Sequence, residues 1–590
     1  MAGQRGVCVQ EDRFKGHVCR HTRKVNTMSY MRGATDDLLL DVTFGQLLDD
    51  TAARWPDREA FVFKKTGSRV TFADIQEHTT RLAAGLKAIG TARGDVVAWL
   101  FGHRPEWIYL YFAVAKLGAI ALPLQEERVG RSVETMNYFL NKAGVKVLIM
   151  ADKSETQPAD EKTSFLETLF PEIKTADPGM LKIERIPTLT SIIVLADGAT
   201  GTGAYTMEEV QRLGNDESLL AEVRTLQDQL SCRDTFMLGF TSGSTGLPKC
   251  AELTTYALHN NTRVIGKVIG MPNEGTALYP YLTFRFAVIY PFTAGCTLVV
   301  PASSSPSSVE MLEILQEEKC KAIGVLYLKE CHGLLHDPHL GDYDLSSLDR
   351  VLVTGNVTPK SLVDHAAKVL PNAKMFVGYG GTEFIFLTST SAEKVAEGRG
   401  STVGKLLEHA EMQLVDTDGR VVPLGHEGEV YVRAYSLFNG YRGDEEKTSK
   451  AMTADGWYKT GDVGVLDEEG VLKLFGRVSD MIIRNSFNVH PTAIESPLSK
   501  HPKVQDVRVV GVPDPASVEE ICACVILKEG QTADSQEMTK FCAEIGLVPI
   551  EMPGYFLFMD EFPMTLTRRK VDRKKLRLIA MEKLGLKEEA

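Results

Sequence analysis

Three features of the chain predict an α/β protein with an antiparallel part and a small α+β domain at its end. From Val42 to Thr354, short apolar runs alternate with longer stretches of helical apolar spacing, the order expected of parallel sheets flanked by helices. In the runs Glu411–Val415, Gly428–Arg433 and Val471–Phe475 the apolar residues alternate, which reads as antiparallel strands. The last block, about 480–590, carries its own strands and helices and is long enough for a small domain.

In chain order, Val42–Arg54 has helical spacing and Glu59–Phe63 reads as a strand. Thr71 is placed as the N-cap of a helix running to Ile89, because a threonine hydroxyl satisfies an orphan N–H of the first turn. Val96–Phe101 is a strand, Pro105–Leu117 a helix and Val145–Met150 a strand. Residues 151–235 are more polar and show no clear period. Phe236–Phe240 is a short apolar strand and Tyr256–Ile269 a helix. Strands follow at Thr297–Val300, Ala322–Leu326 and Arg350–Thr354, with a helix at Val309–Glu317. Glu411–Val415, Gly428–Arg433 and Val471–Phe475 form the alternating group. In the last block the helices are Pro491–Leu498 and Ser535–Ile545, and the strands Val507–Val512 and Ala523–Leu527.

The net charge of −12 over 590 residues argues against a nucleic-acid binder, which should be basic. Ten cysteines in a chain this long are not a disulfide framework, and reduced thiols in an intracellular compartment are expected. Cys522 and Cys524, two apart in a strand-like run, are expected to share one sheet face. No transmembrane segment is expected: Lys116, Gly118 and Pro123 interrupt the most apolar stretch, Trp107–Leu124. The first 34 residues read as a tail. They are basic, as a transit segment should be, but have no serine before Ser29. His17, Cys19 and His21 lie there without a second ligand cluster and read as polar tail.

Thr241-Ser242-Gly243-Ser244-Thr245-Gly246-Leu-Pro-Lys249 stands between the Phe236 strand and the Tyr256 helix. Glycines let several backbone N–H groups converge on one anion, hydroxyls add donors and a lysine adds charge. It reads as a phosphate-grasping loop, but not as the Walker pattern, because Pro248 precedes the lysine and Cys250 follows it. Gly378-Tyr379-Gly-Gly-Thr382-Glu383 also follows an apolar strand: Tyr379 offers a flat face, Thr382 a phosphate donor and Glu383 a hard oxygen for Mg²⁺. Asp455-Gly-Trp-Tyr-Lys-Thr-Gly-Asp462 ends in an aspartate able to accept from two ribose hydroxyls.

These strings resemble the motifs of the adenylate-forming enzymes: acyl-CoA synthetases, firefly luciferases and the adenylation domains of peptide synthetases. The motifs come in the family's order across about 35–580. Ser29–Gly33, His501–Gln505, Val509–Asp514 and Glu519–Val525 look like the medium-chain fatty acyl-CoA synthetases of the mitochondrial family-member-two type. The resemblance implies a large N-terminal domain (35–478) with a small antiparallel barrel-like part, and a small mobile C-terminal domain (479–590). It implies ATP, Mg²⁺ and coenzyme A acting on a small carboxylic acid, in the mitochondrion, with the cytoplasm as the alternative. Thr245 and Glu383 would hold the metal, Arg477 would reach the ribose, and Ser479 stands where the family has a charged hinge residue. In Pro563–Arg577 the catalytic lysine falls on Arg569 when counted from Pro563. Counted back from the ungapped run Val571–Arg577 it falls on Lys570, the position we prefer. Most other charges of that run read as a solvated helix end.

Departures from the family gather elsewhere. Asn485-Ser486 replaces the Gly-Gly of the loop that approaches coenzyme A. Pro280–Phe286 lacks the usual histidine, has Thr283 and carries Arg285, while Gly324–Leu328 and Gly355-Asn-Val357 replace two further acyl-site patterns. Three readings stay open: a medium-chain acyl-CoA synthetase, a ligase for another acid such as an aryl acid, and a protein that binds nucleotide or acyl ligand without turnover.

Overall fold

The computed structural model describes residues 27–124, 133–151, 165–195, 203–241, 247–271, 273–280, 286–303, 305–355, 358, 360–390, 392–396, 402–485, 487–514, 517–565 and 570–586. Expectations for Ser242–Gly246, Thr283, Arg285, Asn356, Val357, Ser486, Arg568, Arg569 and the first 26 residues lie outside the described residues.

Among the described residues the strands form three sheets. The first has eight strands, and its centre is parallel: Ile120–Pro123, Val96–Leu100, Val145–Ala151 and Ser191–Leu195. Thr235–Thr241 adds to it in parallel, and Lys249–Thr254 pairs back on that strand, Lys249 opposite Thr241. The phosphate-loop segment therefore closes a hairpin, and a strand absent from the sequence reading stands between it and the helix Thr255–Ile269. The helix Phe72–Ala88 begins as expected: Thr71 accepts from Asp74 N, and the Asp74 carboxylate accepts in return from Thr71 N at 2.8 Å. The helix Pro105–Leu117 is buried from Trp107 onward, and its one lysine, Lys116, meets Asp49 at 2.7 Å. Among the described residues no helix is long and apolar enough to cross a membrane.

The second sheet has fourteen strands and changes character midway. Glu59–Phe63, Thr297–Val300, Ala277–Tyr279, Ala322–Tyr327, Arg350–Thr354 and Lys374–Gly381 run parallel. From Ile385–Ser389 onward the pairs are antiparallel, through Gly404–Leu406, Val471–Arg477, Tyr458–Leu466, Gly428–Ala434 and Ala410–Val415. The switch is made in one tight turn, 381–385, which holds Thr382 and Glu383. Loops at the carboxyl ends of parallel strands are where α/β sheets bind ligands. Thr241 and Gly381 each end such a strand.

From Ile482 onward the chain builds a five-stranded sheet from Ile482–Arg484, Phe487–Val489, Val504–Asp514, Val518–Leu527 and Tyr555–Phe558. Pro491–Leu498 and Ser535–Glu544 bring apolar residues to a core on one face, and Arg573–Leu584 to a second core that also holds Cys522 and Cys524. The two cysteines share a face, as their spacing predicts. The basic run is less solvated than its sequence suggests. Lys574 and Lys575 are exposed, but Arg573 pairs with Glu495 at 2.8 Å and Arg577 pairs with Glu519.

Candidate active site

The Glu383 turn is shaped by glycine. A Cβ on Gly380 would sit 1.8 Å from the Ile385 carbonyl oxygen, and one on Gly381 would sit 2.7 Å from the Phe384 ring. Only two residues without side chains let the strand fold back this sharply. Ile385 closes the turn at φ +59°, a conformation that costs a β-branched residue about 1–3 kcal/mol and persists only where neighbours enforce it. The neighbours are in place. Ser436 donates to Phe384 O at 2.9 Å, and Phe438 N donates to Glu383 O at 2.8 Å.

The Glu383 side chain is aimed by tyrosines to which the sequence reading gave no role. Tyr441 donates to Glu383 Oε1 at 2.9 Å, and the Tyr441 and Tyr458 hydroxyls lie 3.4 Å apart. Burial, and then the Glu383 charge, hold both phenols well above their usual pKa, so they stay protonated donors. Tyr458 was visible beside Trp457 in the Asp455–Asp462 string, and Tyr441 carries only the weak signal of flanking Gly440 and Gly443. On the other side of Tyr441, Lys249 Nζ lies 4.6 Å from the ring centroid. Burial lowers the Lys249 pKa, and Glu383 opposes that shift. Pro248, just before it, is fixed by Tyr138, whose hydroxyl donates to its carbonyl at 2.6 Å.

Asp462 and Arg477 are opposite one another on adjacent antiparallel strands. Arg477 Nε stands 3.2 Å from Asp462 Oδ1, and Tyr379 donates its hydroxyl to Asp462 Oδ2 at 2.6 Å. Gly461, at φ +74°, bends the strand just before the aspartate. The Tyr379 ring is buried, so Gly378 and Tyr379 connect the Glu383 turn directly to the Asp462 carboxylate.

Lys570 comes to this place from the last block. Thr565 N donates to Lys570 O at 2.9 Å, Met564 bridges Val571, and Asp572 N donates to Pro563 O at 2.8 Å, so Lys570 stands on one arm of a hairpin. The Lys570 side chain is exposed to solvent, with protein crowded about its other sides. The resulting desolvation, and then the Arg477 charge, push its pKa down against the pull of Asp462, Asp480 and Glu383. Ser479 lies exposed between the two parts, in the short turn Val478–Asp480. Asn485 takes φ +50°, the left-handed conformation a glycine would adopt there, and its N–H donates to Ser517 O at 2.9 Å. Asparagine tolerates this region better than most residues with a side chain.

Glu383 could hold a magnesium ion. Glu383 offers a hard carboxylate, one oxygen of which is fixed by Tyr441, and among the described residues it has no ion-pair partner. No group of three or more His, Cys, Asp and Glu converges among the described residues. Mg²⁺ needs none, because it is commonly held by one or two carboxylates together with substrate phosphates and water.

A carboxylate turn, an aspartate–arginine pair on adjacent strands and two lysines, one opening the strand Lys249–Thr254 and one on the hairpin at Lys570, suit a nucleotide-handling enzyme. The AMP-binding enzyme family matches residues 48–442, and the AMP-binding enzyme C-terminal domain matches residues 493–569. The chain belongs to the AMP-binding enzyme family. It is 32% identical over 573 residues to the mouse mitochondrial medium-chain acyl-CoA ligase ACSF2, covering 95% of this chain and 91% of that one. It is 30% identical to the putative acyl-CoA synthetase YngI of Bacillus subtilis, covering 93% and 99%. Among solved structures, the anthranilate CoA ligase AuaEII in complex with anthranoyl-AMP shares the fold with a TM-score of 0.74 at 23% identity, covering 93% of this chain and 99% of that one. The o-succinylbenzoate CoA synthetase MenE of Bacillus subtilis does so with a TM-score of 0.72 at 22% identity, covering 91% and 99%.

Proposed function

We propose that the chain is an AMP-forming acid–CoA ligase that activates a medium-chain fatty acid with ATP and passes the acyl group to coenzyme A. The observation that carries this reading is the convergence of Lys570, Arg477, Asp462 and Glu383 from distant stretches of chain. The ACSF2 and YngI relatives support the acyl-CoA product, and the ACSF2 relatives support the medium chain length.

A carboxylate is a poor electrophile because its charge repels a nucleophile, and it is also repelled by the phosphate it must attack. One opposite charge at about 4 Å offsets this by roughly 4 kcal/mol near a protein surface, before desolvation. Lys570 supplies such a charge to the α-phosphate and the incoming carboxylate. Glu383, with Thr245, would hold Mg²⁺, which supplies further positive charge to the phosphates when bound. Thr241, Ser242, Gly243, Ser244, Gly246, Lys249 and Thr382 hold the phosphates in line. Asp462 accepts from the ribose hydroxyls beside Arg477, while Gly378 and Tyr379 border the nucleotide base. Rotation about Ser479 would then exchange Lys570 for the Asn485 loop. The glycine-like backbone of Asn485 supports an intact thioester step.

The compartment we propose is the mitochondrion, after the animal relatives; fractionation of tagged full-length protein tests it. The substrate is tested by CoA-dependent thioester formation across short, medium, long and aryl acids. Octanoate or decanoate should give the highest kcat/KM. A preference for aryl acids would replace the acid in this reading, and no thioester with any acid alongside measurable ATP binding would replace the reading with a non-catalytic nucleotide binder.

A further inference from the structure

We propose that Asn261 is a positioning residue for the Glu383 carboxylate, an inference that rests on Glu383 serving the metal–nucleotide site. Asn261 lies on the helix Thr255–Ile269, the first helix after the phosphate-loop hairpin, and is 1% exposed. Its Nδ2 donates to Phe386 O at 2.8 Å and its Oδ1 accepts from Phe386 N at 3.1 Å. An amide gripping both polar groups of one residue imitates a strand neighbour, and it fixes its own orientation, since a flipped amide would face donor with donor.

The gripped residue is the one that matters for Glu383. Phe386 follows Ile385, the residue at φ +59° that closes the turn. Ser436, Phe438 and Tyr441 hold Phe384 and Glu383 from the antiparallel side. Asn261 holds the far end of the turn from the side of the phosphate loop. Lys249, at the exit of that loop, is joined to this helix by the strand Lys249–Thr254. One buried amide thus ties the segment assigned to the phosphates to the turn assigned to the metal. Groups bonded directly to a metal-binding carboxylate typically cost about 10–100-fold in metal affinity or activity when lost, and Asn261, which acts through the Phe386 backbone, should stand at the lower end of that range.

The test uses the full-length protein and ATP binding by calorimetry, with and without Mg²⁺, so that it needs no knowledge of the acid. Three variants are compared: Asn261→Leu, which at similar volume loses the two bonds to Phe386 and the long one to the Tyr435 hydroxyl (3.5 Å); Asn261→Asp, which keeps the acceptor alone; and Glu383→Gln. Asn261→Leu should lose about tenfold of the Mg²⁺-dependent tightening, with metal-free affinity unchanged within about twofold. Asn261→Asp should fall between it and the native protein. Because Asn261 acts through Glu383, adding Asn261→Leu to Glu383→Gln should cost less than about twofold more. A full multiplicative loss in the double variant, or equal loss with and without Mg²⁺, overturns the inference and leaves Asn261 as a packing residue. If Asn261→Leu does not fold, the Asn261→Asp and Glu383→Gln pair runs the same cycle. If Glu383→Gln retains the Mg²⁺ effect, the role of Glu383 itself fails, and this inference falls with it.

Discussion

Tyr379 donates its hydroxyl to Asp462 at 2.6 Å, across 83 residues of chain. The bond joins the glycine-rich turn to the strand that carries the aspartate, while Arg477 approaches the other carboxylate oxygen at 3.2 Å. Each carboxylate oxygen has two acceptor sites, so Asp462 retains capacity for ribose hydroxyls in this state.

Replacing the charge is therefore more damaging than removing the phenol. Asp462→Asn should weaken ATP binding by about 10–100-fold, the value of hydrogen bonds to a charged group, and Tyr379→Phe by only about two- to fivefold. Calorimetric titration with ATP checks both. An Asp462→Asn protein that binds ATP as the native one does would remove the ribose assignment.

The pH dependence follows from Lys570. Its pKa is lowered by desolvation and by Arg477, so its proton leaves at lower pH than that of an ordinary lysine. Adenylation requires the charged form and should fall as pH rises through that lowered value. Lys570→Arg, slower throughout, should lack the alkaline fall, because a guanidinium stays charged. An identical alkaline limb in native and variant pH–rate profiles would assign the fall to another group.

Much of the scaffold was legible because its signals are local. Thr71 caps its helix, Pro105–Leu117 and Thr297–Val300 carry their structure in apolar pattern, and the alternating runs between Glu411 and Phe475 gave antiparallel strands. The strand Lys249–Thr254 was not legible, because it mixes charged and apolar residues and owes its form to pairing with Thr235–Thr241. Nor was the joining of parallel and antiparallel strands into one sheet, which depends on how strands far apart in the chain pair. At the candidate site, Glu383, Asp462, Arg477 and Lys570, whose roles are proposed, stood out in the sequence as charged residues within motifs. Tyr441 and Asn261 did not, because a tyrosine in a glycine turn or an asparagine in a polar helix stretch marks no role until its partner is known.

Stability depends on a buried cation away from the site. Lys116 is 2% exposed and bonds Asp49 at 2.7 Å and Gln227 at 3.3 Å. Asp49→Ala would leave that cation unpaired and should destabilise the protein by about 3 kcal/mol, read from urea unfolding followed by tryptophan fluorescence. The double change Asp49→Ala with Lys116→Met should recover most of the loss, since Lys116 is the buried partner and an apolar side chain in its place needs no counter-charge. No recovery would mean that the aspartate acts through other contacts.

Asn485 gives a test confined to the second half-reaction. Asn485→Gly keeps the left-handed backbone and removes the side chain, so thioester formation should equal or exceed the native rate with adenylation unchanged. Asn485→Ala should be less stable than Asn485→Gly by about 1–2 kcal/mol, the cost of this conformation for an ordinary residue. Single-turnover transfer from acyl-adenylate to coenzyme A separates the two steps. A loss of transfer in Asn485→Gly would assign the asparagine side chain a direct part.

The central claim is that Lys570 completes a site able to join a carboxylate to AMP. The most direct measurement is acid-dependent ATP–pyrophosphate exchange in the native protein, in Lys570→Ala and in Arg569→Ala. The account predicts exchange with a medium-chain acid that falls at least about 100-fold in Lys570→Ala and only modestly in Arg569→Ala. Exchange that survives the loss of Lys570 but not the loss of Arg569 would contradict it.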